Sequence, residues 1–356
     1  MVVPVIERVS GAVISPITEY RQTKAGTLTQ DSAVYCGNGL LCETSIHIAS
    51  SPRHLNVPGP FPPLIDREVG GTHLYGGVLI GHFGHFLVEG LSRLWAVRQR
   101  PEVKSIVFVR GVGIGLRMSE GNYDVLLPRY VEELFDLLDV KVPIVVVHEP
   151  LRLEHLYVPA QLFGFHYKAG HPKFHSFVHR LQQFSTRIEC PPSSIYISRS
   201  RLAETVTGGT LSETVLEDNL SRYGYYVFHP EESSLQDQIG IYNAAKRLIF
   251  AEGSAIHLFG FVARQSQKVA IVKRRHGNDF PVEQLRGFGR CEANDVNCIR
   301  NYYLNRNIST CELDFDKLGK ELERLKFIPH RRFWHAPSKD ELAQEADALG
   351  IDLRNN

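Results

Sequence analysis

Hydrophobic positions along the chain follow two regimes. Through about residue 75 they come in short groups broken by turn formers such as Ser51-Pro52, Pro58-Gly59-Pro60 and Pro62-Pro63, a pattern of short strands and loops. From Gly76 onward, short apolar runs alternate with stretches of helical period. Helices are expected over 81–99, 130–138 and 171–188, with strands over 106–109, 144–147 and near 156–158. Cys190-Pro191-Pro192-Ser193-Ser194 then interrupts the pattern and marks a domain boundary. Beyond it, strands over 195–198, 225–228, 248–250 and 269–272 alternate with helices over 212–222, 235–245 and 254–262, the first helix capped by Ser212. Such alternation implies a parallel sheet with right-handed crossovers, whose ligands lie outside the carboxyl ends of the strands. The expected organisation is an α/β domain over 1–190, a second α/β domain over 191–310, and a helical tail over 311–356 packing back on the first domain.

Composition narrows the partners. A chain of 356 residues suits two cores rather than one. Forty basic residues against 39 acidic give a formal charge of +1, without the basic excess expected of a nucleic-acid binder. The first twenty residues lack the basic start and apolar run of a signal peptide, and no stretch has the roughly 18–20 apolar residues of a membrane span. Six cysteines without a C-x-x-C pair read as reduced thiols, so a cytoplasmic location is expected, with peripheral membrane association left open. The spacing of Cys291, Cys298 and Cys311 matches no common zinc pattern, and neither a metal nor a cofactor is expected.

Three segments carry candidate chemistry. In the run from Gly81 to Arg93, an α-helix at about 100° per residue places His82, His85, Glu89 and Arg93 within an arc of about 80°. The remainder of that helix is apolar, so the polar stripe faces either a cleft, as an acid–base unit, or its own members, as a buried structural network. A metal site from His82, His85 and Glu89 is disfavoured, because zinc-binding helices space their imidazoles at i and i+4. The second segment is Ser198-Arg199-Ser200-Arg201, two guanidinium groups just past a strand, suited to phosphate. In the third, Glu252-Gly253-Ser254-Ala255 leads a strand into a helix whose first amides and dipole attract phosphate, with His257 one turn on. It is neither a Walker loop nor a G-x-G-x-x-G fingerprint, and the plain alternative is a tight turn capped by Ser254. Glu231 and Glu232 follow the 225–228 strand, where a carboxylate accepts ribose hydroxyls or caps the next helix. Asp314-Phe315-Asp316 has the form of a D-x-D metal motif but lies in the charged tail and reads as solvent-facing.

The order of these segments resembles glycosyltransferase family 61, found in bacterial capsular polysaccharide proteins and in eukaryotic xylosyl- and N-acetylglucosaminyltransferases. Ser198-Arg199, Glu213, Gly224-Tyr225, Pro230-Glu231, Gln238 and Gly253-Ser254 stand in the family's order, and His85, Glu89 and Arg93-Leu94 match its N-terminal motif. The chain departs from the pattern at Glu252, where histidine is usual, at His257-Leu258, and across 203–209. The resemblance implies the GT-B-type architecture, two Rossmann-like domains facing a cleft, with the acceptor side over 1–190 and the nucleotide-sugar side over 191–310. It further implies inverting, metal-independent transfer from a nucleotide-sugar to a glycan or lipid-linked acceptor, as in capsular or other cell-surface polysaccharide synthesis. Glu89 or His85 is then the base. Arg199, Arg201, His257 and the 253–255 amides take the donor phosphates, Glu231, Glu232 and Gln238 the nucleoside end, and His82, Arg93 and Glu252 support. The alternative is a non-catalytic nucleotide- or glycan-binding protein on the same fold.

Overall fold

The computed structural model describes residues 3–17, 20–22, 28–48, 55–57, 61–119, 122–202, 208–305 and 308–353. The chain divides into two compact units, Met1–Leu181 and Gln182–Asn356.

The N-terminal unit is built on a six-stranded sheet of β1 (Ile6–Ser15), β2 (Ala33–Tyr35), β3 (Arg67–Leu79), β4 (Ser105–Arg110), β5 (Ile144–Val147) and β6 (Leu151–Pro159). The order is β5-β4-β3-β6-β1-β2, parallel from β5 to β6 and antiparallel where β1 meets β6 and β2. This half is therefore a mixed sheet, which differs from the uniform parallel alternation expected of a Rossmann-like domain. The 13-residue strand β3 was not expected from the sequence, because four glycines interrupt its apolar positions. The glycines serve close packing. A Cβ on Gly76 would lie 2.4 Å from Phe108 Cε1, and Gly77, at φ +98°, sits where the β3–β4 register shifts. Helix α1 (Arg129–Leu137) and helix α2 (Pro172–Val178) complete the main elements of this half. The expected helix over 171–188 stays α-helical only to Val178 and continues as a 3₁₀ turn, His179–Gln183.

The C-terminal unit carries the regular alternation. Strands β7 (Ser194–Ile197), β8 (Tyr226–Phe228), β9 (Arg247–Ala251), β10 (Lys268–Val272) and β11 (Glu292–Val296) form an all-parallel sheet in the order β8-β7-β9-β10-β11. Between them run α3 (Glu213–Arg222), α4 (Leu235–Ala244), α5 (Ala255–Val262) and α6 (Phe280–Gly287). The chain leaves β7 to one side for β8, then crosses to the other side for β9. The strand order thus reverses between β7 and β9, and a doubly wound sheet opens a crevice at the carboxyl ends of such a pair.

One local expectation is corrected. Ser212 does not cap α3 through its side chain. It adopts φ +58°, and its backbone N–H donates to Glu345 Oε2 at 2.6 Å. The tail falls within the second unit. A hairpin, β12 (Ile299–Asn305) and β13 (Ile308–Leu313), leads into α7 (Phe315–Arg324), whose Phe315, Leu318 and Leu322 are buried in one cluster with Tyr196, Ile249 and Ala270. Each such side chain contributes about 1.5–3 kcal/mol by leaving water, which holds α7 on its own sheet. Helix α8 (Lys339–Ala348) follows, with Ala346 packed beside Leu211 and Tyr303. Asp314 caps α7 by accepting from Lys317 N–H at 3.0 Å. No helix among the described residues is long and apolar enough to cross a membrane.

Candidate active site

The expected helix over 81–99 changes pitch twice. Phe83–His85 is one α-turn, Phe86–Gly90 a π-turn closed by Leu91 N–H to Phe86 O at 3.1 Å, and Leu94–Gln99 a 3₁₀ helix. A π-turn adds a residue to the helical repeat and re-aims the side chains after it. Glu89 lies in this turn with its side chain 1 % exposed. His85 Nδ1 is 2.6 Å from its Oε2, and His47 Nε2 is 2.8 Å from its Oε1. Both carboxylate oxygens are therefore engaged by imidazole nitrogens. Burial works to raise the Glu89 pKa, but the hydrogen bonds and charges of His47 and His85 outweigh it and bring it down to about 2. His85 is the accessible member, its side chain 28 % exposed, with the His82 ring edge-on at 5.2 Å and Phe165 at 5.7 Å.

Arg93 was expected on the face of Glu89. It is instead fully buried and donates to the carbonyls of Thr44 at 2.7 Å, Ile46 at 2.8 Å, Ser45 at 3.3 Å and Pro159. Its support thus goes to the backbone that presents His47. Gln161 holds the other side of that histidine, accepting from Ile48 N–H at 3.0 Å and donating to Ile48 O at 3.1 Å. Burial, and next the neighbouring His47, pushes the pKa of His166 down. Among the described residues, no three His, Cys, Asp or Glu side chains are placed to hold a metal ion.

In the C-terminal unit, the β7 and β9 turns meet at the strand-order reversal. Arg199 follows β7. Its backbone N–H donates to Glu213 Oε1 at 2.7 Å, an oxygen that also accepts from Tyr196 OH at 2.9 Å and Ser198 Oγ at 3.0 Å. Burial raises the Glu213 pKa. The guanidinium lies over the β9 turn, close enough that a Cβ on Gly253 would stand 2.5 Å from Arg199 Nη1. Glycine here lets the guanidinium rest against backbone, one residue before Ser254, the N-cap of α5. Burial lowers the Arg199 pKa, Glu213 opposes that, and Arg275 adds to the lowering.

Other candidates divide. Glu231 lies within electrostatic reach of Arg199, and its Oε1 is 3.9 Å from His229 Nδ1. Arg201 and Glu232 pair with each other instead, at 2.7 Å, with side chains 57 % and 52 % exposed. They line a cavity of about 500 Å³ at the β8 edge, together with Glu217, Asp218, Tyr226 and His229, and Arg199 is not among its lining residues. Gln238 donates to Pro230 O at 2.8 Å and Ser233 O at 3.2 Å, so it staples the turn that carries the two glutamates. His257 turns to α6, its Nδ1 2.7 Å from Gln284 Oε1 and its ring 5.4 Å from Phe280. Glu252, 1 % exposed, binds the loop after β10: its Oε2 accepts from Arg274 N–H at 2.9 Å and Arg275 N–H at 3.1 Å. Residues 203–207, most of the stretch that departs from the family pattern, lie outside the described residues.

Sequence reasoning missed His47, Arg274 and Arg275. No periodicity ties His47 to Glu89, 42 residues away. The Lys273-Arg274-Arg275 run after an apolar strand was a visible signal of basic side chains at a carboxyl edge. Residues 83–269, just over half of the chain, match the family model described as Glycosyltransferase 61. His47 precedes that span and the two arginines follow it. No curated protein matches the chain.

Proposed function

The chain belongs to glycosyltransferase family 61, and on that premise we propose that it moves a sugar from a nucleotide-sugar to a glycan or lipid-linked acceptor, with inversion and without a metal ion, on a GT-B-type architecture. The donor diphosphate binds at the β7–β9 reversal, between Arg199 and the Gly253-Ser254-Ala255 turn that opens α5. Glu231 takes the ribose. His85 is the base. One observation carries that choice: the Glu89 carboxylate has both oxygens on imidazoles and a pKa near 2. So weak a base is ill suited to general-base work, which leaves the role to the accessible imidazole beside it. With Nδ1 turned to Glu89, Nε2 is the nitrogen that takes the proton from the acceptor hydroxyl. That oxygen attacks the anomeric carbon opposite the diphosphate, the carbon–oxygen bond breaks, and its electron pair leaves on the diphosphate. Glu89 and His47 are positioning residues that fix the imidazole and stabilise its protonated form.

Replacing the base tests this. His85→Ala should lower donor turnover per folded molecule by ~10²-fold or more and leave the Kd for nucleoside diphosphate near that of the wild type. Turnover retained in His85→Ala but abolished in Glu89→Gln, with that variant folded, would return the role to the carboxylate.

A further inference from the structure

The basic run Lys273-Arg274-Arg275 follows β10, next to the turn that carries Glu252 and Gly253. Lys273 is used inside the loop, donating to Asn278 O and lying 3.7 Å from Asp295. The arginines face the turn. Arg274 Nε donates to Glu252 O at 3.1 Å, and Arg275 Nη2 lies 3.6 Å from Glu252 Oε1. Gly253 is the next residue, and Arg199 Nη1 lies against it from the β7 side. Three guanidinium groups therefore gather around one peptide, Glu252–Gly253. Glu252 offsets part of their charge, but it is already engaged by two backbone N–H groups and by Asn278 Nδ2 at 2.5 Å. Burial, followed by the charges of Arg199 and Arg275, brings the Arg274 pKa down to about 10. Like charges resist such crowding, and an anion among them relieves it.

We propose that Arg274 and Arg275 join Arg199 in a three-arginine seat for the donor diphosphate, holding the leaving group as its bond to the sugar breaks. The proposal rests on the reading of the Gly253 turn as the donor-phosphate site. Guanidinium forks bind phosphate oxygens in pairs, and two phosphates in a row offer oxygens to more than one fork. A seat of fixed arginines supplies the counter-charge that other transferases draw from a divalent cation. Glu252 is then a positioning residue, because one of its oxygens fixes the backbone of both arginines.

The test is calorimetric titration of the full chain with inorganic pyrophosphate. Arg275→Gln changes a half-exposed side chain and should weaken pyrophosphate binding roughly ten- to a hundredfold, the loss of one charged hydrogen bond. Arg274→Lys keeps the charge but loses the fork, and should weaken binding in the same direction. Arg331→Gln, which removes the ion pair with Glu323 on α7, should bind as the wild type does. If both loop variants keep wild-type affinity while Arg199→Ala loses it, the seat is Arg199 alone and the proposal fails with the donor site intact. If the wild type binds no pyrophosphate and Arg199→Ala leaves nucleoside diphosphate binding unchanged, the donor-site reading falls and takes the seat with it.

Discussion

At Glu89, one carboxylate satisfies two imidazoles, and chemistry and stability become linked. Because its folded pKa is depressed to about 2 from an ordinary 4.5, the ionised form contributes stability above pH 4.5. That contribution is lost as pH falls from there through about 2. The shift corresponds to a stabilisation on the order of 3 kcal/mol at neutral pH. Glu89→Gln should therefore be less stable than the wild type at pH 7, and the gap should narrow progressively between pH 4.5 and 2. Urea unfolding at a series of pH values measures it, and a gap independent of pH would mean that Glu89 is not held ionised by the histidines. His85 and Glu89 could be paired from sequence because they lie one helical turn apart. His47 could not, since its approach depends on Arg93 and Gln161 holding a segment with no periodic signal. The sequence left open whether Glu89 is an acid–base group or a member of a buried network. The geometry makes Glu89 a member of a buried network, and the proposed mechanism has that network orient the partly exposed His85 imidazole.

Elements explain where the pattern of polar positions misled. A regular α-helix from 81 to 99 would keep Arg93 on the face of Glu89. The π-turn at Phe86–Gly90 inserts a residue, and each inserted residue offsets those that follow by about 100°. Arg93 swings into the carbonyl cage as a result. In the C-terminal unit, β7, β9 and β10 were legible because strands covered on both faces read as unbroken apolar runs. Strand β11, Glu292-Ala293-Asn294-Asp295-Val296, was not, because it lies at the sheet edge and three of its five residues are polar. The β9–α5 turn makes its own prediction. Gly253→Ala would place a methyl where Arg199 Nη1 rests, and Gly253 is not one of the glycines with positive φ, so the backbone tolerates alanine. Nucleoside diphosphate affinity should fall by about tenfold, a single displaced charged contact, with the Tm held. Calorimetry with unchanged affinity would place the arginine's work elsewhere.

The whole molecule contains a mixed-sheet unit that carries a histidine–glutamate cluster and a parallel doubly wound unit that carries an arginine-rich turn. Four strands of the second unit, β7 to β10, and the helices α3 to α5 were readable from alternation. The first unit was obscured by glycines that pack strands closely and by antiparallel strands that follow no alternation with helices. Membership of glycosyltransferase family 61 gives the reaction class, and in the proposed mechanism the arginines supply the counter-charge that a divalent cation supplies in other transferases. The most direct measurement incubates the protein with a panel of nucleotide-sugars in EDTA and follows both nucleoside diphosphate release and the anomeric configuration of the freed or transferred sugar by NMR. The expected result is turnover of at least one donor in the presence of chelator, with the anomeric configuration inverted. Donor binding without turnover, retention of configuration, or activity that returns only on adding Mn²⁺ or Mg²⁺ would contradict it.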